Sequence, residues 1–330
     1  GNYNNLIGVP LTLFGLQEEH RWAVVEMGMS ARGEIARLAE IARPNIGLIT
    51  NVGAGHLENF DGLSGVARAK GELFISLPAD GIALINVDDE EVSILPVANS
   101  VRRVTFGVNR NADVRADNIT AHNGSVSFNL VIAGAARRVI LPLPGRHNVA
   151  NALAAAAAAM VAGVGMQAIV AGLESFQPCP GRMELIELPG DVIVLEDSYN
   201  ANPLSVHAAL DALHDLGSPG RRIAVLADML ELGPSAPELH QQIGAIVPER
   251  ADWLFTYGAL AEDIAHGARN AGLDDDRIFS ATNHDDLVEH LLGLLEAGDR
   301  VLIKGSRGMC MEKVTAALRA SLQKQAANGN

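Results

Sequence analysis

A chain of 330 residues is too long for one compact domain and suits two, at roughly 150 residues each. With 48% hydrophobic and 19% charged residues it can build two cores, which excludes global disorder. Its net charge of −14 repels nucleic acid and anionic lipid in general, leaving room only for a local basic pocket that could take phosphate. Residues 22–26, 46–52 and 81–87 read as short strands buried on both faces, alternating with helical patterns at 32–42 and 63–77. Such alternation predicts a mostly parallel sheet covered by helices. The pattern then changes: 101–108, 114–121, 125–133 and 135–141 read as short antiparallel strands, with Asn123-Gly124 as a hairpin turn. Residues 148–161, with six alanines at 154–159, predict a helix packed closely on the sheet. Two prolines and a glycine within Phe176-Gln177-Pro178-Cys179-Pro180-Gly181 mark a boundary, placing one domain at 1–180 and another at 181–330. In the second, strands at 192–196, 223–227, 253–257, 277–281 and 301–304 alternate with helices, the pattern of a doubly wound α/β domain.

Cys179 and Cys310 stand alone, so no disulfide scaffold or zinc ribbon is expected, and a reducing cytoplasm fits. No apolar run reaches the roughly 20 residues needed to span a bilayer, and no signal peptide opens the chain. The start at Gly1-Asn2-Tyr3-Asn4-Asn5, without an initiating Met, reads as a cut.

In open α/β sheets ligands bind beyond the carboxyl ends of the strands, so polar residues there are the first candidates. Glu26 ends the apolar run 22–25; a carboxylate there suits Mg²⁺, and equally suits a helix cap or an ion pair. His56 follows the next strand in Gly53-Ala54-Gly55-His56-Leu57-Glu58, where two glycines let the backbone approach a ligand. Lys70 sits on a helix, where an exposed lysine is the ordinary case. In the second domain Asp197 could accept from ribose hydroxyls, and Asn202 before Pro203 suits a helix cap. Lys304-Gly305-Ser306-Arg307 ends the last strand and offers basic groups to a carboxylate or phosphate. Polar clusters at the strand ends of two domains suggest a substrate cleft between them.

The strings Asn2-Tyr3-Asn4-Asn5, Ala69-Lys70-Gly71-Glu72 and Pro144-Gly145-Arg146-His147-Asn148 resemble the central domain of the Mur ligases. Gly181-Arg182-Met183-Glu184, Asp197-Ser198-Tyr199-Asn200-Ala201-Asn202-Pro203, Asp228-Met229-Leu230-Glu231-Leu232-Gly233 and Lys304-Gly305-Ser306-Arg307 extend the likeness to about Leu318. They resemble most the branch that joins D-alanyl-D-alanine to UDP-N-acetylmuramoyl-tripeptide in peptidoglycan synthesis. The resemblance implies an α/β fold: a truncated central ATPase-like domain with a mostly parallel sheet and a small antiparallel portion, then a Rossmann-like C-terminal domain. It implies ATP and Mg²⁺, a cytoplasmic monomer, no nucleic acid and no membrane insertion. By the same likeness Glu26, His56 and Lys70 would bind Mg²⁺ and serve catalysis, Lys70 as a carbamate. Asn148 would contact adenine, Asp197 the ribose and Arg182 the phosphates of ATP. Asn4 and Asn5 would lie along the UDP-linked tripeptide, and Asn200, Asn202 and Lys304 would meet the dipeptide.

The family's G-x-x-G-K-T/S phosphate loop and its N-terminal UDP-binding domain do not occur in these 330 residues. Without the loop's backbone donors and lysine, the β- and γ-phosphates lose their main cradle, so the chain by itself is expected to be inactive or nearly so. Phosphate release at enzymatic rates by the purified chain would overturn that expectation. The rival readings are a non-catalytic binding remnant and a sister ligase, such as a folylpolyglutamate synthase. The Tyr199-Asn200-Ala201-Asn202-Pro203 string speaks against the sister.

Overall fold

The computed structural model describes residues 2–53, 59–217 and 219–328. Its elements begin with α1 (Gly8–Phe14), α2 (Glu34–Ala42), β1 (Ile46–Ile49), α3 (Gly62–Ile75), β2 (Ile82–Asn86), α4 (Glu90–Ser93) and β3 (Arg102–Gly107). Next come β4 (Val114–His122), β5 (Ser125–Ile132), β6 (Ala135–Leu141), α5 (His147–Val161) and α6 (Met166–Glu174). The remainder runs β7 (Glu184–Leu188), β8 (Val192–Asp197), α7 (Pro203–Asp215), β9 (Arg222–Ala227), α8 (Ala236–Ile246), β10 (Trp253–Tyr257), α9 (Ala261–Asn270), β11 (Ile278–Ala281), α10 (His284–Leu294), β12 (Arg300–Lys304) and α11 (Glu312–Asn328). Two compact units result: Gly1–Asp117 with Asn129–Arg138 and Ala150–Ala171, and Asn118–Phe128 with Val139–Val149 and Gly172–Asn330.

The first sheet has the order β1-β2-β3-β4-β5-β6. β1, β2 and β3 are parallel neighbours, with Leu48 opposite Leu84 and Leu84 opposite Val104. This corrects the expectation that 101–108 belongs to the antiparallel set. The stretch from β2 to β3 contains α4 and is long enough to bring the chain back in the same direction. β4 meets β3 in parallel over only two residue pairs. β4, β5 and β6 then return on one another through two-residue turns, Asn123-Gly124 and Ala133-Gly134, all four residues with positive φ. Turns of that hand join antiparallel strands whose twist matches theirs. Under the parallel strands, Phe74 of α3 and Val92 of α4 pack against Ala83 and Ile85, all at most 5% exposed.

Residues 22–26 form no strand, which is a second correction. They find no ladder partner among the described residues, and Val24 is 99% and Trp22 62% exposed. β1 is the edge of this sheet instead.

The second sheet has the order β11-β10-β9-β12-β8-β7, with every neighbour parallel except the antiparallel β7 on the edge. Strand side chains alternate between faces. Leu195, Ala224, Leu226, Leu254 and Leu302 point to the layer of α7, α8 and α9, while Val194, Ile223, Val225, Phe255, Val301 and Ile303 point to α10 and α11. Helices α8 and α9 approach backbone to backbone. A Cβ on Gly244 would lie 1.9 Å from the Ile264 carbonyl oxygen, and one on Gly267 2.0 Å from that of Gln241. Because β12 slots between β8 and β9, the carboxyl ends of three parallel strands converge, and Lys304 comes into register with Asp197.

Candidate functional site

In the first unit the polar residues form two groups. The Glu26 carboxylate is exposed, and its Oε1 accepts hydrogen bonds from Asn2 Nδ2 and Asn4 Nδ2, both at 2.8 Å. Asn5 turns the other way: its Oδ1 accepts from the N–H groups of Ile7 and Gly8 at 3.1 and 2.8 Å and starts α1. An Asx turn of this kind satisfies two of the donors a helix start leaves unpaired.

The second group surrounds Lys70 on α3, whose Nζ donates to the Asn51 carbonyl at 2.7 Å. Burial pulls this amine below the ordinary lysine value, and the nearby Asp89 carboxylate opposes the shift only in part. Asp89 does two further jobs: Oδ1 accepts from Val92 N–H and caps α4, and Oδ2 accepts from Val52 N–H at 2.8 Å. Asn86 Nδ2 donates to the Thr50 carbonyl at 2.7 Å, so residues 50–52 after β1 are fixed from three directions. His56 lies outside the described residues.

Among the described residues no three His, Cys, Asp or Glu side chains gather closely enough to hold a metal ion. The donor chemistry still fits Mg²⁺, which takes one or two protein carboxylates and leaves its other positions to phosphate and water. Glu26 offers an exposed carboxylate, and Lys70 an amine displaced toward the neutral form that carbon dioxide requires.

In the second unit the site is built on a buried ion pair. Lys304 is only 2% exposed; its Nζ lies 2.5 Å from Asp197 Oδ2 and 2.8 Å from the Asn200 carbonyl oxygen. Burial lowers the lysine's pKa, and the Asp197 charge works against that shift. Asp197 Oδ1 accepts from Met183 N–H at 3.2 Å, so both carboxylate oxygens are engaged. The Arg182 guanidinium stacks over the Tyr199 ring at 4.0 Å from its centroid, a cation–π contact that presents a fixed charge beside the pair. Asn202 caps α7: its Oδ1 accepts from Ser205 N–H while Ser205 Oγ accepts from Asn202 N–H, with Pro203 at the first helical position. Asn200 uses its own Oδ1 on Ala201 N–H at 2.9 Å.

Asn148, near the start of α5, is 7% exposed, and its Nδ2 donates to the Pro144 carbonyl at 2.7 Å. The neighbouring His147 has its pKa lowered by burial, against the charge of Asp197. His147 also lines a groove of about 360 Å³ in which Asp211 pairs with His207 and Arg250, and Asp215 with Arg146 and His214.

Asp197, Lys304, Asn200, Arg182 and Asn202 therefore assemble as neighbours, and Glu26 joins Asn4. Sequence reading passed over Asp89, Glu196 and His240. Glu196, 7% exposed on the face of β8 opposite Asp197, accepts from Ser198 Oγ at 3.1 Å, and burial raises its pKa. Asp228 and Ser306 stand inside motifs already quoted; nothing in the sequence marks His240 or Asp89 as more than a surface or capping residue.

The Mur ligase middle domain matches residues 1–159, and the Mur ligase glutamate ligase domain matches residues 181–307. The UDP-N-acetylmuramoyl-tripeptide–D-alanyl-D-alanine ligase of Escherichia coli is 40% identical over 325 residues, which cover 97% of this chain and 70% of that protein. Among solved structures, MurF from Acinetobacter baumannii superposes with a TM-score of 0.89 at 32% identity, over 97% of this chain and 69% of that one. MurF ligase from Thermotoga maritima in complex with ADP superposes with a TM-score of 0.85 at 26% identity, over 98% and 73% of the two chains.

Proposed function

Since the chain belongs to the Mur ligase family, we propose that it joins D-alanyl-D-alanine to UDP-N-acetylmuramoyl-tripeptide at the expense of ATP, in peptidoglycan synthesis. The observation that carries this reading is 40% identity to a ligase of that reaction along 97% of the chain. Among the described residues no helix is long and apolar enough to cross a membrane.

A carboxylate is a poor electrophile and must be activated. Its oxygen attacks the γ-phosphorus of ATP, ADP leaves, and an acyl phosphate forms. The dipeptide amine then attacks the acyl carbon, the tetrahedral adduct gives up a proton from its nitrogen, and the C–O bond breaks to release phosphate and leave an amide. Phosphoryl transfer of this kind is catalysed by positioning and charge neutralisation. Arg182, stacked on Tyr199, would bring its positive charge to the phosphates, and the proposed ribose partner Asp197 is held in place by Lys304 and Met183 N–H. In this reading Asn148 would contact the adenine, Asn4 and Asn5 would line the path of the UDP-linked tripeptide, and Asn200, Asn202 and Lys304 would meet the dipeptide. Mg²⁺, held by Glu26, His56 and a carbamylated Lys70, would supply the charge neutralisation that the crowded phosphate oxygens require.

The test is phosphate release by the protein expressed from its full coding sequence, with ATP, Mg²⁺ and the UDP-linked tripeptide. Release that depends on D-alanyl-D-alanine and yields a product heavier by that dipeptide is expected. Equal turnover with a free single amino acid in its place would refute the reading.

A further inference from the structure

One buried titratable group has no part in the chemistry above. His240 on α8 is 0% exposed, and both ring nitrogens are used. Nε2 accepts from Met229 N–H at 2.9 Å, which leaves the ring proton on Nδ1, where it is donated to the Ala236 carbonyl at 2.7 Å. A neutral imidazole has one donor and one acceptor, so the ring is saturated.

The bond to Ala236 is local to the helix, whereas the bond to Met229 leaves it and fixes the segment that follows β9. That segment has neither helix nor ladder to hold it, and Glu231 within it takes a left-handed φ of 64°. The residue after Met229 extends the relay: Leu230 N–H donates to Ser306 Oγ at 2.9 Å. Ser306, 4% exposed, donates in turn to the Ala201 carbonyl at 3.3 Å, and its own N–H donates to the Asp228 carbonyl at 3.1 Å. Residues 198–202 after β8, 228–232 after β9 and 305–309 after β12 are thus tied by one line of hydrogen bonds that ends at His240.

We propose that His240 is a positioning residue for the amine-substrate side of the site. Its ring sets Met229, Met229 sets Leu230 on Ser306, and Ser306 sets the 198–202 segment that carries Asn200 and Asn202. This rests on the ligase reading for its kinetic consequence, while the relay itself is a property of the chain.

Two substitutions separate the two ring nitrogens. In His240→Gln the amide oxygen reaches the place of Nε2 and can still accept from Met229. In His240→Asn the shorter amide reaches only the place of Nδ1, so the Ala236 bond survives and the Met229 bond is lost. Amide hydrogen exchange should rise in all three segments for His240→Asn and stay near the parent level for His240→Gln. In the ligase assay His240→Asn should raise KM for D-alanyl-D-alanine about tenfold, with KM for ATP within about twofold. Faster exchange confined to residues 228–240, equal behaviour of Gln and Asn, or an equal rise in both KM values would each overturn the proposal. Should His240→Asn fail to fold, Ser306→Ala breaks the relay one step further on. It is expected to raise exchange in 198–202 and 228–232, and unchanged exchange there would likewise overturn the proposal. A parent protein that ligates no dipeptide would sink the ligase reading, and exchange would still decide the relay.

Discussion

Lys304→Met keeps the length of the side chain and removes its charge. In the parent, the ammonium is 2.5 Å from Asp197 Oδ2 and 2.8 Å from the Asn200 carbonyl, in a side chain 2% exposed. Its loss leaves a carboxylate only 15% exposed, with the Met183 N–H at 3.2 Å as its remaining donor among these contacts. Breaking a buried pair from one side costs about 3–5 kcal/mol. The lysine's own desolvation, visible in its lowered pKa, returns part of that, so the net loss should be about 2–4 kcal/mol. Adding Asp197→Asn removes the orphaned charge and should bring stability back to within about 1 kcal/mol of the parent. The assay is urea unfolding followed by the fluorescence of Trp253 on β10, half-buried in the second unit; Trp22, 62% exposed, changes little. The pH dependence has a definite sign. With the folded pKa below the unfolded one, the unfolded chain binds more protons between the two. Parent stability therefore rises as pH climbs through that interval toward about 10.4, and the methionine variant lacks this contribution. A single variant losing less than about 1 kcal/mol, or a double variant no more stable than the single, would refute the reasoning.

Glu196→Gln should gain about 1 kcal/mol at pH 7, because the amide keeps the Ser198 bond and removes a charge that burial and the nearby Glu184 and Glu312 carboxylates disfavour. Its raised folded pKa gives the parent a stability fully present below the unfolded value and lost as pH rises through the folded one. The gain should therefore vanish near pH 4, and denaturation at the two pH values checks it. Asp89→Ala removes the α4 cap and the acceptor for Val52 N–H, and should cost about 1–2 kcal/mol in thermal or chemical unfolding. Gly244→Ala meets the Ile264 carbonyl and cannot be accommodated by a rotamer, so about 3 kcal/mol or more should be lost, read from the same Trp253 signal. Lys70→Arg keeps a charge at neutral pH and cannot take up carbon dioxide. Phosphate release should fall about 100-fold or more, while the parent enzyme responds to bicarbonate.

What could be read in advance follows from what kind of information a residue carries. The strand 253–257 is found at its expected bounds because a central parallel strand is apolar on both faces and announces itself. Residues 22–26 have the same apolar character and form no strand, since hydrophobicity states a need for burial without naming the partner that provides it. Strand β7, Glu184-Leu185-Ile186-Glu187-Leu188, escaped notice because an edge strand keeps carboxylates among its apolar residues. The motif residues Asp197 and Lys304 were legible as candidates, but their pairing across 107 positions depends on β12 entering between β8 and β9. Asp89 bonds a residue 37 positions away, and His240 bonds a segment of no regular structure; neither leaves a local pattern to read.

The place of β12 also bears on the order in which the second unit can fold. This strand is the last of its sheet in sequence and lies in its interior, so β8 and β9 each present an open edge until the chain has passed residue 304. Its pairings with β8 and β9 close long loops, and their entropy must be spent before any contact returns it. Lys304 and Ser306 arrive with that same strand and turn, so Asp197 acquires its ion pair, and the segment 198–202 its anchor, only at the final insertion. A partly folded or nascent chain therefore cannot hold a formed site on an incomplete fold. Competence to bind and completion of the sheet are reached in one step.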